Sequence, residues 1–275
     1  LPADFTLNLQ IVGLTHLIVA SGFHLTTVVR AGKRIGEKRS RRWALALGLL
    51  AIGLFTMITG VSSSMTRAGL VSLISLISWY YGRQSSAGRI LLLVLGLTVL
   101  INPLYLWGDA SFYLSFGAFA GVLLLGPIMR QYFWGKTKLR FVPQLLTESL
   151  SAQIATLPIS VFFFGKLSTV ALLTNLLVVP VASLLMLLSL LASLLGTVPG
   201  VGVILIWPLQ LILNYVIGVT NWFAGLPLAQ IDLTINLWQV ILAYTVIIGV
   251  AIYMAWRNQR DAKLAEALKA FNVIE

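Results

Sequence analysis

The sequence predicts an all-α protein, a polytopic transmembrane helical bundle of about eight or nine spans with some broken or re-entrant helices. Three observations carry that reading. Of the 275 residues, 59% are hydrophobic and 10% charged, and mean hydropathy is +0.95; soluble proteins average about 25% charged. Apolar runs close to the ~20 residues needed to cross hydrocarbon recur along the whole chain. All Lys and Arg except Arg67 and Lys166 fall into four segments that alternate spans would put on one side, as positively charged cytoplasmic loops require.

The candidate spans are 7–29, 43–60, 64–81, 90–107, 110–129, 145–165, 168–196, 203–225 and 235–256. The first is the most polar. Its core, GLTHLIVASGFHL (13–25), holds both histidines of the chain, His16 and His24, together with Ser21. An imidazole in lipid must find a partner or stay neutral, so this stretch is read as lining a polar path inside the bundle. The sixth span contains Pro158, and the seventh has Asn175 followed by Pro180. Proline frees a backbone carbonyl, which predicts irregular helices at both places. Runs rich in Pro and Gly at 196–202 and 225–227 read as turns.

The basic segments lie at 30–42, 83–89, 130–140 and 257–269. Taken as cytoplasmic, they set the start of the chain outside and its end inside, and most of the net charge of +11 becomes topology. The densest cluster is Lys33, Arg34, Lys38, Arg39, Arg41 and Arg42. It can hold anionic lipid or a phosphate backbone as well, and charge alone does not choose between them. In the tail, Leu264, Leu268 and Phe271 recur at helical spacing. Residues 1–256 are therefore expected to form the membrane domain and 257–275 an amphipathic helix on the inner surface. Trp43, Trp79, Trp107, Trp207, Trp238 and Trp256 sit near span ends as an aromatic belt.

Polar side chains inside spans single out further candidates. Arg67 follows a serine-rich stretch that includes Ser63, in GVSSSMTRAG. An arginine near the interface can simply snorkel, but these hydroxyls also suit a polar path on which a guanidinium meets phosphate. Asp109 precedes the fifth span, where it either caps the helix or pairs with Arg67. Ser111 and Ser115 follow on one helical face. Gln153 and Thr156 share a face beside Pro158, and Asn175 lies in the next span. These amides serve either interhelical hydrogen bonding or presentation of polar groups to a solute.

Several chemistries are excluded. Without Cys there are no disulfides or thiolate metal sites, and two histidines eight residues apart fall short of a zinc ligand set. Ser21 and His24 are three apart, yet the first span offers neither an orienting carboxylate nor a recognisable oxyanion hole. No phosphate-binding glycine loop is present. No catalytic residue, metal or cofactor is expected, which leaves a passive conduit or a gradient-driven carrier.

GLTHLIVASGFHL resembles the signature of the ComEC-type competence proteins, which typically reads GLSHLLAISGLHV. The resemblance continues in order through SSSMTRAGLV (62–71), NPLYLWGDASFYLSFGAFAGVLL (102–124) and AQIATLPISVFFFGKLSTVALLTNLLVVPV (152–181). It is good from Gly13 to Pro180 and rests on hydropathy alone in the last third. Phe23 and Tyr113 depart from the common Leu and Gln. The resemblance implies a channel in the bacterial cytoplasmic membrane that passes single-stranded DNA during natural transformation. His16, Ser21, His24, Arg67, Asp109, Ser115, Gln153 and Asn175 would line or brace its path. It also implies an outer DNA receptor and an inner helicase-like ATPase as partners, and it leaves monomer or homodimer open. Full-length members usually carry an outer oligonucleotide-binding-like domain and often a metallo-β-lactamase-like nuclease domain. Neither is found in this sequence, which begins without an initiator methionine and is expected to be part of a longer protein; no nuclease activity is assigned. A secondary transporter for a small anionic solute satisfies the same charge arguments, although no inverted repeat is visible.

Overall fold

In the computed structural model the described residues are 3–15, 22–60, 62–83, 86–135, 141–195 and 201–271. Their helices are α1 (Ala3–Ile11), α2 (Gly22–Glu37), α3 (Arg41–Thr59), α4 (Ser63–Tyr80) and α5 (Ala87–Ile101). A 3-10 turn (Pro103–Leu106) precedes α6 (Ala110–Ala120), which runs through a π-type turn (Gly121–Leu125) into α7 (Gly126–Trp134). Then come α8 (Phe141–Phe164), strand β1 (Lys166–Ser168), α9 (Ala171–Leu195), α10 (Val201–Ala224), strand β2 (Gln230–Asp232) and α11 (Leu237–Phe271). Five segments are long and apolar enough to cross a membrane: Arg41–Thr59, Ala110–Trp134, Val142–Phe164, Ala171–Ser193 and Leu237–Arg260. The protein is thus an all-α polytopic membrane protein with very little strand.

Serines set several of the helix starts. Ser40, Ser62 and Ser86 stand in extended backbone before α3, α4 and α5, and their hydroxyls accept from the amides of Trp43, Met65 and Arg89. Each satisfies one of the four amides that a helix start leaves without an internal partner. Pro103 stops α5: Asn102 before it is extended, and its side chain accepts from the Leu104 amide.

The chain forms two compact units, Leu1–Ser115 with Ser168–Ile231, and Phe116–Leu167 with Asp232–Glu275. In the first, α2, α3 and α4 close over Leu25, Val29, Met65 and Ala68, with Ala51, Ile52 and Phe55 against them. A Cβ added at Gly36 would collide with the backbone of Ala44, so only glycine allows α2 and α3 to approach this closely at their turn. A second core joins Leu9, Val12 and Leu14 to Val178 of α9 and to Val216 and Phe223 of α10.

The first expected span is indeed broken. α1 ends at Ile11, and Gly13 takes φ +74°, the left-handed region open to glycine. The buried Thr174 hydroxyl donates to the Val12 carbonyl at 2.9 Å, satisfying backbone that the break exposes.

Two expected irregularities do not occur. α8 continues through Pro158 and α9 through Pro180. The reason is visible in each turn that the proline loosens. Tyr244 of α11 donates its hydroxyl to the Ala155 carbonyl at 2.8 Å, three residues before Pro158. Tyr215 of α10 does the same for Leu177, three residues before Pro180, at 3.4 Å. In each case a hydroxyl from a neighbouring helix adds a donor within the turn that proline loosens, although the carbonyl that loses its amide partner is the one four residues before the proline.

The strands were not expected. Thr169 N donates to Ala229 O at 3.0 Å, and Leu233 N to Gly165 O at 2.9 Å, so β1 and β2 pair antiparallel. That register sets Lys166 opposite Asp232. In the second unit α7, α8 and α11 pack together. Gly121 lies against Ser151 and Ala155, and Asn258 Nδ2 donates to the Ile128 carbonyl at 3.0 Å. α11 is a single unbroken helix through Phe271.

Two substitutions test this packing by thermal unfolding in detergent. Gly36→Ala should cost roughly 1–3 kcal/mol through overpacking, whereas Gly53→Ala, with open space around it, should be neutral or stabilising. Tyr244→Phe should cost about 0.5–1.5 kcal/mol.

Candidate functional site

Polar side chains of α4 meet Ser115 at the start of α6, all within the first unit. Arg67, in the second turn of α4, is half-buried, and its Nε donates to the hydroxyl of Ser115 on α6. Ser115 in turn donates to Ser64 Oγ at 3.4 Å. Ser115 therefore acts as acceptor and donor at once. Its hydroxyl satisfies one of the five guanidinium N–H groups and neutralises none of the charge. Ser64 and Arg67 are three apart on one helical face, so the stretch GVSSSMTRAG delivers this geometry through its spacing.

Asp109 takes the role of cap. Its Oδ1 accepts from the amides of Ser111 at 2.8 Å and Phe112 at 3.2 Å, which fixes the start of α6. The alternative of an Arg67–Asp109 ion pair is not formed. The loop before the cap is pinned from the same helix: Phe112 stacks on Tyr105, with ring centroids 6.4 Å apart, and Tyr113 donates its hydroxyl to the Leu106 carbonyl at 2.8 Å. Together these contacts hold the first turns of α6, and hence Ser115, in place.

The remaining expected residues divide. Asn175, on α9 one residue past the buried Thr174, has its Oδ1 buried without a hydrogen-bond donor. Gln153, on α8 in the second unit, has a buried Oε1 in the same condition, while its neighbour Thr156 bonds back to the Ala152 carbonyl. His16 and Ser21 lie outside the described residues. His24 lies in the first turn of α2 and Ser63 is the first residue of α4. The basic cluster spans the end of α2 and the start of α3. There Lys33 pairs with Glu37 at 3.7 Å, and Arg34, Lys38, Arg39, Arg41 and Arg42 are exposed.

Sequence reasoning missed three features. Ser64, rather than Ser63, is the described partner of Ser115; both lie within a turn of Arg67, so spacing could not separate them. Asn8 of α1 and Asn221 of α10 join their amides at 3.0 Å; an asparagine within each of two apolar runs was the available signal. The second unit also contains a cavity of about 390 Å³ along α7 and α8, lined among others by Arg130, Gln131, Gln144, Thr147 and Glu148. Gln144 donates to Glu148 there at 2.9 Å.

Asp109→Asn should leave unfolding in detergent within a few tenths of a kcal/mol of the parent, while Asp109→Ala should cost about 1 kcal/mol, as a lost cap does. Had Asp109 been paired with Arg67, Asn would cost nearly as much as Ala.

Comparison with known proteins adds the following. Residues 1–257 match the family described as Competence protein. The ComE operon protein 3 of Bacillus subtilis (strain 168) is 36% identical over 180 residues, covering 62% of this chain and 21% of that protein. The chain thus spans about a fifth of its curated relative. No solved structure matches.

Proposed function

Because the chain belongs to the Competence protein family, which it matches over residues 1–257, we propose that it forms the membrane conduit that passes single-stranded DNA across the bacterial cytoplasmic membrane during natural transformation. The observation that carries this reading is the Arg67–Ser115–Ser64 relay. It is a half-buried cation, held on a hydroxyl between two helices, in residues that also carry the sequence resemblance. A strand passing through apolar surroundings needs donors for its phosphates, and a guanidinium held beside hydroxyls is a donor group of the kind that phosphate recognition uses. Asn175 Oδ1, a buried acceptor without a donor, suits the amino groups of bases in the same unit. Asp109 braces this path through the cap on α6. Gln153 is assigned the same service within its own unit, and His16, Ser21, His24 and Ser63 are assigned to the lining from sequence.

In this reading the start of the chain is outside and its end inside. The β-ribbon pairs the segment after α8 with the segment after α10, which this reading sets together on the outer side. The inner face then carries the basic clusters, which draw the arriving strand electrostatically. Residues 1–256 form the conduit and 257–275 extend from it on the inner side. The chain itself performs no catalysis. An outer DNA receptor and an inner helicase-like ATPase would deliver and pull the strand, and two copies of the chain could assemble.

Uptake of labelled DNA by competent cells carrying Arg67→Ala tests the proposal, with membrane abundance followed in parallel. Internalised DNA should fall at least about tenfold, in line with losing one charge-assisted contact, while surface-bound DNA persists and abundance is unchanged. Arg67→Lys should recover part of the uptake. Unchanged uptake in Arg67→Ala would remove Arg67 from the path, and uptake of small anions in place of DNA would make the protein a solute carrier.

A further inference from the structure

We infer that the turn between α2 and α3, together with the end of α4, is a headgroup site for an anionic phospholipid. Lys33 Nζ lies 3.9 Å from the centre of the Trp79 ring, and the Arg41 guanidinium carbon lies 5.4 Å from the same centre. Arg39 lies 5.1 Å from the Trp43 ring in the same way. Three cations from a nine-residue segment are thus seated on two indoles. A π face attracts a cation without neutralising it or using up its N–H donors. Close contact between Gly36 and Ala44 keeps the α2–α3 turn tight, so the cations come from neighbouring backbone. Glu37 is the sole carboxylate between residues 33 and 42, and it pairs with Lys33. α3 also opens with Arg41 and Arg42 and no acidic residue, an arrangement that the helix dipole disfavours and that an anion would relieve.

The surroundings favour lipid over nucleic acid. Trp43, Leu50 and Leu54 are exposed on α3 at spacings of seven and four, which forms one apolar stripe leading away from the cations. A phospholipid covers both parts, with phosphate at the cations and acyl chain along the stripe; a nucleic-acid strand leaves the stripe bare. The indole faces on which a base would stack are engaged by Lys33, Arg39 and Arg41. Tryptophan at a membrane interface is itself the ordinary place for such a ring.

Native mass spectrometry of the chain purified in detergent tests this, with phosphatidylglycerol and phosphatidylcholine of equal chain length as probes. The chain should retain phosphatidylglycerol preferentially. K33Q/R41Q should lower that affinity at least about tenfold. R34Q/R42Q removes the same charge from side chains seated on no ring and should stay within about twofold. Trp79→Leu keeps every charge, removes the shared ring, and should fall with K33Q/R41Q; it carries the test should the double variant fail to fold. Equal losses in both charge variants, or no loss in either, would overturn the site in favour of diffuse surface charge. Displacement of phosphatidylglycerol by a single-stranded oligonucleotide would reassign the turn to nucleic acid.

Discussion

A main-chain carbonyl or amide facing hydrocarbon has no water to turn to, and leaving it unsatisfied costs several kcal/mol. That constraint shapes this protein more than any single side chain. It explains why the break after α1 is buttressed by Thr174 on the Val12 carbonyl, and why two mid-helix prolines are each matched by a tyrosine hydroxyl from another helix. It also explains what the hydroxyls in the spans do. Thr56, Thr59, Thr98, Thr147 and Thr245 all bond back to the carbonyl four residues earlier in their own helix. Such hydroxyls are satisfied locally and offer little to a passing solute.

Against that background the relay on α4 and α6 stands apart. Ser115 does not turn back to its own helix; it accepts from Arg67 and donates to Ser64 across the interface. A hydroxyl partner holds the guanidinium in position and leaves its charge in force. An aspartate at that place would do the opposite, and Asp109, the nearest acid in sequence, is engaged instead by the amides that start α6. The hydroxyl of Ser115 thereby joins Arg67 of α4 to α6.

Much of the architecture was legible because membrane helices obey simple rules. Their length is fixed by the bilayer, and basic residues mark the loops on one side. What was not legible depends on contacts between distant residues. Nothing local to Pro158 announces Tyr244, 86 positions away, so a helix that the sequence predicts to be irregular is continuous. The strands are three residues each, too short to leave a periodic pattern. The site was half legible for the same reason. Composition drew attention to Arg67 and its serines, but only the approach of α6 selects Ser115 as the partner and gives Asp109 to the cap.

The two concentrations of positive charge illustrate how context divides one chemistry between two tasks. Arg67 is half-buried and donates to the Ser115 hydroxyl, in surroundings where burial strengthens electrostatic interactions. Lys33, Arg39 and Arg41 rest on indole rings at the end of a helix hairpin, where water and salt screen them within about 10 Å. A cation of the first kind acts on what passes close to it, and its effect depends on one geometry. Cations of the second kind act together, through numbers, on whatever surface lies alongside. Helix ends gather the second kind by the ordinary logic of membrane insertion, but a cation of the first kind must be held by specific partners. For that reason the position of Arg67 depends on one contact with Ser115, whereas the larger cluster depends on numbers.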